Sequence, residues 1–504
     1  MKAFRYGRFN TIAKMTLTHL VAPIALILLI GLFFHSRARL EFDGDEGLNL
    51  MRGLLIDQGY ALYDDIWSDQ PPVYPHFLAL AFRLIGYKVG AARFLSTLFS
   101  SLIAWGIFQI LRKISGRVAA VVGVVLLVLL PEYLRLSVSV MVGLPALSLA
   151  VAALAFQIFW HRDRRVLWLV LSALLLAISI QTKLFTVVLA PVFAVGVILP
   201  RLYRLRSREG SWREIIRPAL VWGLVFGLAM MTITLVWIHP ENLPMLFAGH
   251  LAASDVSAFQ GAEYELSFRL RAAGPILFLA VVGAVQGIRD RKWLLLYPVF
   301  WFVFGFIFLL FLHPIWYHHQ LLVTIPAAIP ATYALVEAGR WIIRRGQDTG
   351  DPLRSPVFQV LAVLGLIFLL FGFRPPDALS YLKMPPTFAT TGLEVGILKE
   401  RLVTTVIEYA PDTTWIVTDK PMIAFRARLP VPPEIAVLSR KRLETGALSE
   451  EDLIRIVREY RPEQVLIGRF EFPRLAAALE RDYSLELFKE EDFSLYIRND
   501  LLDE

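Results

Sequence analysis

The 504-residue chain has no cysteine, which excludes disulfides, thiolate metal sites and a cysteine nucleophile, and says little about compartment. Charge is sparse as well: 19% of residues are charged, against about a quarter in a soluble domain. Neither an ordinary cytosolic enzyme nor a disordered chain has this balance. The P-loop, G-x-G-x-x-G, H-E-x-x-H and G-x-S-x-G patterns of soluble enzymes are missing, as are repeats and low-complexity segments. What is there is apolar: 56% hydrophobic residues, a mean hydropathy of +0.57, and long runs of Leu, Val, Ile, Phe and Ala. The chain reads as an integral membrane protein.

Net charge is +8, from 51 Lys plus Arg against 43 Asp plus Glu. In a soluble protein that excess would raise nucleic acid as a partner. Here the basic residues sit in short loops between apolar segments, the pattern of cytoplasmic membrane loops, and no nucleic acid is expected.

A membrane-spanning helix needs ~20 mostly apolar residues. Candidates run at Ile12–Phe34, Phe94–Leu111, Val118–Tyr133, Val140–Trp160, Ala219–Ile238, Ala272–Ile288, Trp293–Leu312, Leu321–Val336 and Val357–Phe373. Val166–Leu199 is too long for one helix and carries Gln181-Thr182-Lys183 near its middle, so it reads as two short helices meeting at a polar turn. That makes about eleven spans. With eleven, the basic clusters at Lys2 to Lys14, Arg112 to Arg117, Arg162 to Arg165, Arg201 to Arg217, Arg289 to Lys292 and Arg340 to Arg354 all fall on one side. The N-terminus is then cytoplasmic and the C-terminus outside. The first span has a basic start like a signal peptide, but its apolar run is too long and Ser36-Arg37-Ala38 is a poor cleavage site, so it is expected to be retained.

Beyond Phe373 the composition changes. The tail is charged, with strand-like runs Trp415–Thr418 and Gln464–Ile467 and a helical pattern over Ser449–Tyr460, capped by Ser449. The expected fold is therefore mostly α, a polytopic membrane helix bundle followed by a small α/β domain. The expected division is 1–375 for the membrane domain, with its first outer loop at 35–91, and 376–504 for an extracytoplasmic domain.

Charges within hydrocarbon are costly, so their placement is informative. They collect on the outer side. The first outer loop holds Asp43, Asp45 and Glu46, then Asp57, Asp64, Asp65 and Asp69, and leads through Pro71–His76 into a short apolar piece, Phe77–Ile85, suited to an interfacial helix. Such acids are often plain solvated surface. Other outer candidates are Lys183, which could be a snorkelling lysine, the loop Pro240–Leu270 with Arg269, and the run His313–His319, which could be an aromatic belt. Adjacent histidines point apart on a helix and are poor support for a metal site. Facing one cavity, however, these groups suit a lipid-phosphate-linked substrate. A carboxylate can take the proton of an attacking hydroxyl, and cations can stabilise a departing phosphate.

At these residues the sequence resembles the GT-C glycosyltransferases, particularly the protein O-mannosyltransferases and lipid A aminoarabinose transferases (glycosyltransferase family 39 and its relatives). Asp45-Glu46 is similar to the family's Asp-Glu pair of the first outer loop, and Asp69-Gln70-Pro71-Pro72-Val73-Tyr74 to its acid-Lys-Pro-Pro-Leu-Tyr segment. Gln181-Thr182-Lys183 resembles its Thr-Lys turn, and Tyr317-His318-His319-Gln320 its aromatic-His-Tyr run. The resemblance covers roughly residues 1–375. It implies inverting transfer of one sugar from a polyprenyl-phosphate donor to a glycan, lipid or protein acceptor at the plasma membrane. Carried over, Asp45 is the catalytic carboxylate, Glu46 its neighbour in the site, and Asp69 a second acid near the acceptor or an ion. Lys183, helped by Arg269 or Arg271, holds the donor phosphate, and Tyr74, Tyr317, His318 and His319 contact substrate. Some branches use a divalent cation and others do not, so that cofactor stays open. Two departures stand out: Gln70 where the family often has lysine, and Gly143 where it often has an acid. These could be one lost ion pair, and they bear on the acceptor side. A lipid-linked sugar transporter or flippase and a non-catalytic glycan-binding membrane protein remain as alternatives, although neither inverted repeats nor midplane charges are evident.

Overall fold

The computed structural model describes residues 20–31, 40–206, 211–254, 256, 267, 270–312, 315–345, 360–361, 363–366, 393–488 and 493–502. Both ends of the first expected span, most of the last, the N-terminal basic cluster and Arg269 lie outside the described residues. The chain is mostly helical. Leu20–Gly31 (α1) precedes Asp45–Asp57 (α2), Val73–Ile85 (α3), Val89–Ser115 (α4), Arg117–Val128 (α5), Tyr133–Val138 (α6), Gly143–Asp163 (α7), Val166–Ile180 (α8), Ala190–Arg206 (α9) and Trp212–Trp237 (α10). Further helices include Gly274–Arg289, Leu296–Phe311 and Leu321–Arg345.

Among the described residues five helical segments are long and apolar enough to cross a membrane: α4, α7, α10, Trp293–Phe311 and Tyr317–Ile343. Six shorter apolar helices accompany them. Tyr317–Ile343 is enclosed almost entirely by its neighbours, whereas α10 turns nearly all of its surface outward, as a lipid-facing helix does. The span expected at Val118–Tyr133 is shorter than anticipated. Its helix stops at Val128, before Pro131, which has no amide to continue the ladder, and Tyr133 begins the separate α6. The long apolar stretch Val166–Leu199 does break. Helix α8 ends at Ile180, Gln181 and Thr182 turn, and a 3₁₀ segment Leu184–Leu189 leads into α9. The turn is held by the Thr182 and Lys183 amides, which donate to the Ser179 carbonyl at 3.1 and 3.0 Å.

Helix α3 is amphipathic in the manner of an interfacial helix. Leu78 and Phe82 are buried while Leu80, Leu84 and Ile85 are exposed. The C-terminal part is an α/β unit whose four strands, Ile416–Thr418 (β1), Gln464–Ile467 (β2), Tyr483–Phe488 (β3) and Phe493–Arg498 (β4), lie in the order β1-β2-β4-β3. β1 and β2 are parallel, with Ile416 opposite Gln464, and the other pairs are antiparallel. Helix Glu450–Tyr460 has Ser449 as its cap, its hydroxyl accepting from the Asp452 amide while the Asp452 carboxylate accepts from the Ser449 amide at 3.0 Å.

One apolar cluster joins the first outer loop to this C-terminal unit. Leu50, Met51, Leu54 and Leu55 of α2 and Leu78 and Phe82 of α3 share it with Leu402, Val406, Ile423, Phe425 and Leu466. Glycine makes the approach possible. A Cβ at Gly47 would collide with the Met422 backbone, and one at Gly53 would stand 2.8 Å from the Leu78 Cβ. Burying each such Leu or Phe contributes roughly 1.5–3 kcal/mol, so the outer loop and the C-terminal unit are held as one packed body.

Candidate active site

The site forms where α2 begins. Asp45 is the first residue of this 13-residue helix, so its carboxylate sits at the positive end of the helix dipole. Its amide donates to Asp43 Oδ1 at 2.9 Å. The Asp45 carboxylate itself makes no hydrogen bond or ion pair among the described residues. Burial and then neighbouring Asp43 push it above the usual carboxylate range, and Arg469, Lys183 and Arg52 pull it down. Asp43 is held by Tyr317, whose hydroxyl donates to its Oδ2, and by Arg135 at 3.9 Å, with the Arg135 guanidinium stacked 4.9 Å from the Tyr317 ring.

Glu46, the next residue, does something different. It is fully buried and pairs with Arg93 of α4 at 2.7 and 3.2 Å. It also accepts from the amides of Phe42 and Val140 at 2.7 and 2.9 Å. One turn on, Asn49 donates to the Val140 carbonyl at 2.8 Å and accepts from Arg52, which also reaches Ser68 at 3.2 Å. The inward face of α2 is thus stitched to α4 and to the segment before α7. Every acceptor position of the Glu46 carboxylate is committed to this work, so it is a fastening rather than a free catalytic group.

Asp69 reaches the site from the other end of the loop. The Val73 amide donates to the Gln181 carbonyl at 3.1 Å, which ties the start of α3 to the Gln181–Lys183 turn. Asp69 is buried, accepts from the Gln70 side chain at 3.1 Å, and forms an ion pair with Lys441 of the C-terminal unit. Lys183 lies between these acids. Its Nζ is 3.3 Å from His318 Nε2 and 5.1 Å from the Phe185 ring centre. Burial lowers it to about 8, with Asp45, Asp69 and Asp43 acting in the opposite sense. A Cβ on Gly143 would stand 3.7 Å from that ammonium, so an acid at position 143 would meet Lys183.

The remaining candidates divide. Tyr317 and His318 join the cluster through Asp43 and Lys183. His319 is buried, and its Nδ1 accepts from the Trp316 amide at 3.1 Å, which fixes the segment rather than facing the acids. Tyr74 is 2% exposed and packs in the core shared by α2 and α3. Its apolar ring follows the inward face of α3, which the sequence motif alone does not reveal. Arg271 is exposed and makes no hydrogen bond or ion pair with the Asp45–Lys183 cluster among the described residues, and Arg269 lies outside them. No group of three or more His, Cys, Asp and Glu side chains is placed to hold a metal ion among the described residues.

Arg52, Asn49, Arg93, Arg135, Lys441 and Arg469 were not evident from sequence. Those of α2 recur at 46, 49 and 52, a helical spacing of polar residues that marks a buried polar face. The C-terminal cations carry no such signal.

Residues 69–237 match the family described as dolichyl-phosphate-mannose-protein mannosyltransferase. No curated protein sequence is significantly similar to the chain. Among solved structures, ArnT from Cupriavidus metallidurans bound to undecaprenyl phosphate superposes with a TM-score of 0.59 at 16% identity, covering 95% of this chain and 97% of that one. The archaeal oligosaccharyltransferase AglB from Archaeoglobus fulgidus, in complex with an inhibitory peptide and a dolichol-phosphate, gives 0.53 at 11% identity, covering 95% and 74%. The chain has the polytopic fold of the GT-C membrane glycosyltransferases.

Proposed function

We propose that the chain is an integral-membrane glycosyltransferase that moves a single sugar, with inversion, from a polyprenyl-phosphate donor to an acceptor hydroxyl on the extracytoplasmic side. The observation that carries this reading is the juxtaposition of an uncommitted carboxylate, Asp45, with a half-buried ammonium, Lys183, at the outer end of an apolar bundle. The family match over residues 69–237 and the fold shared with ArnT and AglB support the enzyme class and the lipid-linked donor. Nothing favours a flippase or a non-catalytic glycan-binding protein.

In the proposed reaction Asp45 accepts the proton of the acceptor hydroxyl as its oxygen attacks the anomeric carbon. The bond from that carbon to the phosphate oxygen breaks, and the phosphate leaves with the electron pair. Lys183 meets the charge that develops there, and Arg269 and Arg271 are the further cations assigned to the donor phosphate. Attack opposite the leaving phosphate inverts the centre in one displacement. Tyr317 holds Asp43 beside Asp45, His318 flanks Lys183, Asp69 faces the acceptor side, and Glu46 positions α2. The polyprenyl chain stays in the bilayer and the acceptor, a glycan, lipid or protein, arrives from outside. This reading places the chain in the plasma membrane with a cytoplasmic N-terminus, a membrane domain over 1–375 and an extracytoplasmic domain over 376–504. Asp45→Asn tests it. That variant is expected to fold normally, because Asp45 fastens nothing, and to lose transfer; full activity would refute the base assignment.

A further inference from the structure

The C-terminal unit does more than cover the outer loop. Four of its groups seat on the short segment that opens α2. Arg426 donates to the Leu40 carbonyl at 3.1 Å, and Lys420 lies 3.9 Å from the Glu41 carboxylate. The Met422 backbone occupies the space left by Gly47, and the Arg469 guanidinium stands 3.8 Å from the position a Cβ on Gly44 would take. Arg469 is therefore set beside the residue that precedes Asp45. It has no carboxylate within ion-pair distance among the described residues, and its one ring neighbour is Phe470, 5.1 Å away. It does not hang loosely. The amides of Gly468, Arg469 and Phe470 converge on the buried carboxylate of Asp419 at 3.0, 2.7 and 2.8 Å, so the loop after β2 is clamped to the end of β1.

We propose that Arg469, presented by the C-terminal unit at the start of α2, is a positioning residue for transfer, and that Asp419 sets it there. The inference rests on the reading of Asp45 as the base. The groups facing Asp45 are Asp43 from its own segment, Arg52 from α2, Lys183 from the turn after α8, and Arg469 from the C-terminal unit. Burial and Asp43 favour the protonated acid, which is useless as a base. The cations act in the opposite sense, and Arg469 heads them. The acceptor-side base is thus assembled across two parts of the chain, Asp45 opening α2 and Arg469 set beside that opening by the C-terminal unit.

The test is the pH profile of kcat/KM for wild type, Arg469→Gln, Arg469→Lys, Asp419→Asn and Asp45→Asn, in the full-length protein in nanodiscs. Arg469→Gln should move the acid limb upward by about one pH unit or more, which is roughly ten-fold lost activity below the limb. Arg469→Lys, which keeps the charge, should recover most of it. Asp419→Asn should shift the limb in the same direction with the thermal unfolding of the protein monitored alongside. An acid limb unmoved in Arg469→Gln, with Asp45→Asn inactive, overturns this inference and leaves the base assignment standing. An active Asp45→Asn overturns the base assignment itself.

Discussion

Glu46→Gln separates a catalytic role from a structural one at the second residue of the Asp-Glu pair. In the wild type the Glu46 and Arg93 side chains are both fully buried and joined at 2.7 and 3.2 Å. Glutamine keeps the shape and can still accept from one of the Phe42 and Val140 amides, but it carries no charge. The Arg93 guanidinium then keeps the Leu40 carbonyl, at 3.2 Å, and the Phe42 ring, 4.6 Å away, but loses its counter-charge. Breaking one side of a buried pair costs about 3–5 kcal/mol, because an uncompensated charge remains inside. That is roughly a 10²- to 10⁴-fold change in the folded population. The assay is unfolding of purified protein in mixed micelles, followed by near-ultraviolet signal, with transfer activity measured on the fraction that stays folded. Glu46→Gln should unfold far more readily, and its folded fraction should retain most of its activity. A variant as stable as wild type but inactive would refute the positional role and make Glu46 a participant in the chemistry.

Three further outcomes follow from the same geometry. Lys183, lowered to about 8, carries its charge below that pH and loses it as pH rises through it, so kcat/KM should decline along an alkaline limb near pH 8. Lys183→Arg should remove that limb, since guanidinium does not titrate there, and a limb that persists would belong to another group. Gly143→Asp should weaken donor binding by ~10-fold or more by pairing with the Lys183 ammonium, with folding intact; unchanged donor KM would place the phosphate elsewhere. Because the chain has no cysteine, Arg455→Cys should react with an impermeant maleimide added from outside and Ser211→Cys should not. Both positions are exposed, and reversed labelling would overturn the orientation.

The parts of this fold that were legible in the sequence are those where water and hydrocarbon make unequal demands. A lysine inside an apolar stretch is expensive unless the chain turns there, and the chain does turn at Gln181–Lys183. The cap at Ser449 and the strand Gln464–Ile467 were legible because they rest on local rules. The site was only half legible. Asp45 and Glu46 are adjacent acids with the same chemistry, and their different duties depend on Arg93, which lies 47 positions away on α4. Tyr74 sits in a motif that resembles a substrate-binding one, yet the helical period turns its ring into the core. Lys441 and Arg469 were invisible because a charged outer domain carries many such residues, and only tertiary docking selects the one that pairs with Asp69 and the one that stands beside Gly44. Gly47 and Gly143 read as ordinary glycines until the Met422 backbone and the Lys183 ammonium are brought against them.

The most direct measurement is turnover of radiolabelled polyprenyl-phosphate hexoses and pentoses by wild type and Asp45→Asn in nanodiscs, with a panel of glycan, lipid and peptide acceptors. The account predicts that wild type alone transfers or releases sugar from at least one donor, with the product inverted at its anomeric carbon. Equal turnover by both proteins, or retention of configuration, would contradict it.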